Sequence, residues 1–420
     1  MNDSRPAATR RILPAAIAGL IFLAMAALYV TGQRTISNEI LWAWGVDPYV
    51  FPFLDTETVL SAVRCFRDGV DVFAVNPCDP LRRVFDYSPL WLLLAKLPVT
   101  QAWLTPAGLG VGVTFIASLA LLPPGRGAAE TGRIIVGVLS PAVAFNVERG
   151  NNDLVLFVLA AVAAALACRT PMLRLVGYAA ALLAGLLKYY PMTLMAMVTR
   201  ERPGRFLAVA AGSLAVVALF LATMGHDLAR ALRLIPVGPW FGDMFGWSIL
   251  AGGLAKEYDW PSGAAIALRV TLSLVALGAG VAIGLRPALA AALDRLTDRE
   301  RMALLAGSLL ILSCFFTAQN IGYRAMHLVL TLPALTALGR IHVGRPWSAT
   351  TYTVLALLWS SGWRNWIASL IPGRDAFVGI WLVREALWWW TITMMIALVL
   401  GLLARSEMGR WAFRRARPEA

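Results

Sequence analysis

Two carboxylates, Asp55 and Glu57, stand two residues apart in FPFLDTETVL, directly after an aromatic stretch. A carboxylate in such a place can act as a general base, taking the proton of a substrate hydroxyl while its neighbours tune its pKa. Solvated loop acids give the same D-x-E spelling, so both readings stand at this point. A second cluster, ERGNND at 148–153, sets Arg149, Asn151, Asn152 and Asp153 between the apolar runs IIVGVLSPAVAF and LVLFVLAAVAAALA. Arg149, Lys188 in LLKYYP and Arg324 in NIGYRAMH are cations at such polar breaks, suited to holding a phosphate, with arginine able to do so bidentately. The competing account of Lys188 is a side chain reaching from a helix end to the lipid headgroups. Of His226, His327 and His342, only His327 lies beside a polar break, where it can donate to a phosphate or sugar oxygen. The cysteines and histidines have no zinc-site spacing, and the chain has no P-loop and no dinucleotide fingerprint, so no metal and no cofactor are expected.

The elements that must position these groups are set by composition. With 59% hydrophobic and 15% charged residues and a mean hydropathy of +0.68, the chain is read as an all-α integral membrane protein. Twelve apolar runs follow one another, at about 12–31, 103–122, 134–145, 154–167, 175–187, 191–199, 206–224, 264–284, 302–316, 328–339, 349–361 and 386–404. The first run, at nineteen residues from 12 to 30, is long for a signal peptide and is read as a retained helix. If both termini are cytoplasmic, the basic excess behind the net charge of +13 falls in alternate inner loops. The positive-inside pattern then explains the charge, and no nucleic acid is implied. Merging 175–199 into one helix would put Lys188 at mid-membrane and export the later arginines. A tight turn at LKYYP is therefore expected, with Pro191 pushing Tyr190 out of helical geometry.

In this topology the breaks ERGNND, KYYP and TAQNIGYRAMH share the outer face. So do two outer loops, at 32–87 and 225–263. The pattern TVLSAVRCF in the first loop suggests a helix lying at the membrane interface. Cys65 and Cys78 in the same loop can pair in an oxidising compartment, and Cys168 and Cys314 are read as free thiols. LWAW, WRNW and LWWW read as interface anchors. Asn151 or Asn152 can also simply cap the helix that begins at DLVLF, with Asp153 favourable at its N-terminus.

The order of these segments, DTE in a long first outer loop, then NPCDPLRRVFDYSPLWLLLAKLP, RGNNDLVLFVLAAVAAAL and GLLKYYPM, resembles the integral-membrane GT-C glycosyltransferases, and among them glycosyltransferase family 87. The resemblance covers residues 50–200 and is looser beyond, resting there on NIGYRAMHL. NPC and YSPL stand where the family has NPY and YPPL. It implies a single GT-C-like domain over 1–420, with about twelve transmembrane or partly spanning helices. It implies a polyprenyl-phosphate-linked donor of mannose or another hexose or pentose, a lipid or glycan acceptor, membrane lipid surroundings, and an outward-facing site in a bacterial inner membrane. Asp55 matches the catalytic aspartate and would activate the acceptor hydroxyl for inverting displacement. Lys188 and Arg324, with Arg149 and His327, would hold the leaving phosphate. Glu57, Tyr87, Asn151, Asn152, Asp153, Tyr189, Asn320 and Tyr323 would face sugar and acceptor hydroxyls.

A chain of twelve spans with both ends inside is also the plan of many transporters. Matching halves and mid-helix charges would favour transport of a lipid-linked sugar, and neither is evident here.

Overall fold

The computed structural model describes residues 4–235, 244–317, 320–341, 345–371 and 373–415. Residues 236–243 of the 225–263 segment, Ala318 and Gln319 of the third polar break, and His342 lie outside the described residues. All twelve apolar runs are helical, but not every one is long enough to cross a membrane by itself. Six helical stretches are long and apolar enough to cross a membrane: Ala8–Val30, Gln101–Leu121, Pro203–Leu234, Ser262–Gly284, Asp298–Thr317 and Arg374–Ala404. A seventh results if Ala128–Val138 and Pro141–Arg149, bent by 44° where Pro141 opens the second helix, are taken as one. The correction is one of length. The 16-residue helix Asn152–Ala167 reaches about 24 Å, short of the roughly 30 Å hydrocarbon core. The protein is thus a helical, multi-pass membrane protein whose shorter helices are packed inside.

Pro203–Leu234 and Ser262–Gly284 are apolar yet largely exposed, as lipid-facing helices are, whereas Asp298–Thr317 and Asn152–Ala167 are mostly buried. Small residues allow close packing in the core: Gly280 and Gly284 set Ser262–Gly284 directly against Ile396 and Ala397 of Arg374–Ala404. The LWWW segment is not an interface belt throughout. Trp388 stacks on Phe245 at 4.2 Å and Trp389 meets Phe315 edge-on, both buried, and Trp390 alone of the three is exposed.

The segment 32–87 is more than a loop. It holds the helices Arg34–Ala43 and Leu54–Arg67, and the second runs from Leu54 to Val63 entirely buried. The expected interfacial helix therefore exists, but it packs against Pro89–Lys96 and Leu104–Ser118 instead of lying on headgroups. Its apolar positions meet protein on more than one side, which leaves no face for lipid. In the second loop, Pro203–Leu234 continues ten residues further than expected, and Arg230 pairs with Asp71 at 2.5 Å to tie the two loops together.

Cys65 and Cys78 form the expected disulfide, closing the helix onto the following loop. Constraining a chain separation of this size is worth about 3 kcal/mol. Cys65→Ser is expected to lower thermal stability under non-reducing conditions, and dithiothreitol to destabilise the wild type but not the variant. Equal sensitivity of both to reductant would mean the bridge does not form.

Candidate functional site

The polar breaks converge at one end of the bundle, and the sequence explains how each is held. Phe53 takes a left-handed conformation (φ 61°) that ends the incoming chain, and its N–H donates to the Glu148 carbonyl at 2.8 Å. This starts Leu54–Arg67 beside the ERGNND break and places Asp55 in its first turn. Arg83 braces the same turn, donating to the Leu54 carbonyl at 3.3 Å while paired with Asp79 at 2.8 Å. Gly150 (φ 54°) caps Pro141–Arg149, and a Cβ there would strike Thr56 Oγ1, which donates to the Gly150 carbonyl at 2.7 Å.

Asn151 then does two things with one side chain. Its Oδ1 accepts from the Asp153 N–H at 2.8 Å, capping Asn152–Ala167 as expected. Its Nδ2 donates to Asp55 Oδ2 at 2.6 Å. Arg149 Nε stands 3.5 Å from the same oxygen, its guanidinium flanked by the rings of Tyr49 and Phe145. Phe145 stacks in turn on Tyr323, a second aromatic support for Arg149. Asp55 Oδ1 has no partner among the described residues. A buried carboxylate with one oxygen fixed and one open is suited to accept a hydroxyl proton.

One turn of chain away, Asp153 is wholly buried and gathers the cations. Lys188 Nζ lies 2.7 Å from its Oδ1 and Arg324 Nε 3.3 Å from its Oδ2. Lys188 is where Pro171–Leu187 stops, followed by the 3₁₀ helix Tyr190–Arg200. The expected turn is there, with its break at Lys188 and Tyr189. Tyr190 already belongs to the 3₁₀ helix, which tolerates Pro191 near its start. Ser88 of the YSPL segment donates to the Leu186 carbonyl at 2.7 Å, and Lys188 lies over the Tyr87 ring, so first loop and turn are joined. Arg324 is set by a two-residue antiparallel bridge, Met244–Phe245 with Asn320–Ile321, that begins the 3₁₀ helix Gly322–Leu330. Asn146 fastens that helix by donating to the Tyr323 carbonyl at 2.8 Å.

The structure thus brings Asp55, Arg149, Asn151, Asp153, Lys188, Arg324, Tyr87 and Tyr323 together. Other expected groups stand elsewhere or are occupied. Glu57 is buried on another face of its helix, paired with Arg64 at 2.8 Å and accepting from Gln101 at 3.3 Å. Residues two apart on a helix do not share a face, which takes it out of the Asp55 cluster. His327 is fully buried behind Tyr190, with Nε2 2.7 Å from the phenol oxygen, so it meets phosphate only through that residue. Tyr190 donates to Asp153 at 3.0 Å, and this leaves His327 Nε2 as the donor in their shared bond. Asn320 is taken up by the Cys314 carbonyl and Arg324. Asn152 Nδ2 and Tyr189 Oη are shielded atoms without a partner among the described residues, open to ligand hydroxyls.

Sequence reasoning passed over Tyr190, Asn146 and Asp86. Asp86 precedes Tyr87 in VFDYSPL, and its adjacency to that tyrosine is its one signal in the sequence. Burial pushes the Asp86 carboxyl above the usual carboxylate range, against the pull of Lys188 and Arg83. Tyr87 is pushed well above its ordinary value, again by burial. A raised carboxyl pKa means Asp86 favours the fold when protonated and opposes it as pH rises through its folded pKa. Asp86→Asn is therefore expected to melt at a higher temperature than wild type at neutral pH, with the difference shrinking in acid. A difference that widens on acidification would reverse this assignment.

Among the described residues no group of three or more His, Cys, Asp or Glu side chains is placed to hold a metal ion. Compared with protein-family models, curated proteins and solved structures, the chain finds no match.

Proposed function

We propose that the protein is a membrane glycosyltransferase of GT-C type, moving a sugar from a polyprenyl-phosphate donor to a lipid or glycan acceptor at the outer face of a bacterial inner membrane. One observation carries the reading: Asn151 joins a carboxylate with an open oxygen, Asp55, to the capped helix whose Asp153 holds Lys188 and Arg324. A base and a paired cation cluster, fixed to each other through one side chain, are what direct displacement of a phosphate by a hydroxyl requires.

In this reaction the acceptor hydroxyl gives its proton to Asp55 Oδ1 as its oxygen attacks the anomeric carbon. The bond from that carbon to the phosphate oxygen breaks, and the polyprenyl phosphate leaves with the electron pair. Attack opposite to departure inverts the configuration. Lys188 and Arg324 share one carboxylate between two positive charges, so the pair keeps positive charge to meet the charge growing on the phosphate. Arg149 stands 3.5 Å from Asp55 Oδ2 and orients the carboxylate, leaving Oδ1 to the acceptor.

The test is transfer from radiolabelled polyprenyl-phosphate sugars by the purified protein in nanodiscs, wild type against Asp55→Asn. Label moving to a new lipid or glycan, and lost in the variant, supports the reading. Transport of intact donor across the bilayer without transfer would replace it with the lipid-linked-sugar transporter. The orientation has its own check. A membrane-impermeant thiol reagent is expected to label Val75→Cys in intact cells and not Arg202→Cys, both exposed positions. The opposite pattern would move the site to the cytoplasmic face.

A further inference from the structure

Behind Asp55 opens a cleft that the reaction above leaves unused. It has a cavity volume of about 150 Å³ and lies between the N-terminal helix, Leu104–Ser118 and the bent pair that ends at Arg149, open on one side. Phe22, Met25, Ile116 and Val138 give it apolar walls over most of its length. Its polar groups gather where the helices end, at Arg34, Asn38, Tyr49 and Glu148. Glu148 is the telling member. Its backbone carbonyl is used by Phe53, and the Tyr49 N–H faces its carboxylate, yet Oε2 is shielded and has no partner among the described residues. A shielded carboxylate oxygen beside hydrocarbon is costly unless a donor reaches it. The cleft adjoins the site: Phe53 lines it two residues before Asp55, and Arg149, next to Glu148, touches both Asp55 and the cleft residue Tyr49.

We infer that this cleft binds the acceptor, and that the acceptor is an amphiphile with a hydrocarbon tail and a hydroxylated head. This rests on the transferase reading above. The tail lies along Phe22, Met25, Ile116 and Val138, one head hydroxyl donates to Glu148, and a neighbouring hydroxyl is turned towards Asp55. A soluble glycan would leave the apolar walls bare, and a head without hydroxyls would leave Glu148 Oε2 without its donor. The donor enters from the other side, at Lys188, so the two substrates meet at Asp55 without sharing a groove.

The experiment uses the full chain in nanodiscs and a photoactivatable probe, an alkyl glycoside with a diazirine in its tail, with a methyl-capped head as the control. Expected are cross-links concentrated on the four apolar wall residues, about tenfold weaker for the capped probe and for Glu148→Gln, as loss of a buried hydrogen bond predicts. Ala26→Trp, which fills the tail cleft and leaves Glu148 intact, is expected to lower labelling similarly. Labelling spread evenly over Pro203–Leu234 and Ser262–Gly284 would mean bulk lipid contact and overturn the inference. So would labelling unmoved by Glu148→Gln, or better competition by an ammonium-headed phospholipid than by an unlabelled glycoside. Cross-links as expected without transfer from any donor would sink the transferase reading and keep the cleft, whereas transfer with cross-links elsewhere would do the reverse.

Discussion

Asp55→Asn is expected to lower the rate of sugar transfer by about 10³-fold, the usual weight of a general base, while donor binding stays within about twofold because no donor-phosphate contact is removed. The substitution is close to isosteric. Its remaining carbonyl oxygen can keep the bond from Asn151 Nδ2, so the capped start of Asn152–Ala167 is not disturbed. What is lost is the ability of the open oxygen to take a proton, together with the charge that faces Arg149. The effect therefore falls on kcat. Equal melting temperatures of wild type and variant, with kcat reduced and donor Kd unchanged, is the signature of a base. A large rise in donor Kd would instead place Asp55 among the binding groups, and an active Asn variant would remove it from the chemistry altogether.

Much of this site is legible before any coordinates, because chain chemistry alone forces it. Pro191 has no N–H and cannot continue Pro171–Leu187, so a break near Lys188 follows from sequence. Asn151 ahead of an apolar run is a capping signal, and the cap is present. Cys65 and Cys78, close in the chain and in one loop, are bridged. What was not legible depends on neighbours distant in sequence. That Asn151 also holds Asp55 joins residues 96 positions apart, and that Tyr190 covers His327 joins residues 137 apart. Which runs span fully and which only partly is illegible for a related reason. Hydropathy identifies residues that avoid water but does not separate lipid from protein interior, so Asn152–Ala167 and Pro203–Leu234 look alike until their neighbours are known. Trp388 and Trp389 show the same ambiguity, as aromatic residues serve both an interface and a core.

Asp153 offers the sharpest separation between a residue that touches sugar and one that holds the phosphate cations. Asp153→Asn leaves Lys188 and Arg324 buried together without their shared anion, and breaking a buried ion pair from one side costs about 3–5 kcal/mol. Loss of the negative charge at the start of Asn152–Ala167 adds about 0.3–1 kcal/mol. A large fall in thermal stability is therefore expected. Adding Lys188→Met should recover much of it, since one buried cation is removed with its partner. The donor gives the decisive contrast. A polyprenyl phosphate brings back an anion to the uncompensated cations, so it should raise the melting temperature of Asp153→Asn by more than it raises that of wild type. A residue whose part was to accept sugar hydroxyls would behave the other way, with a small stability loss and a weaker donor shift. The sign of that difference decides whether the buried carboxylate stands in for the phosphate between turnovers or binds the sugar during them.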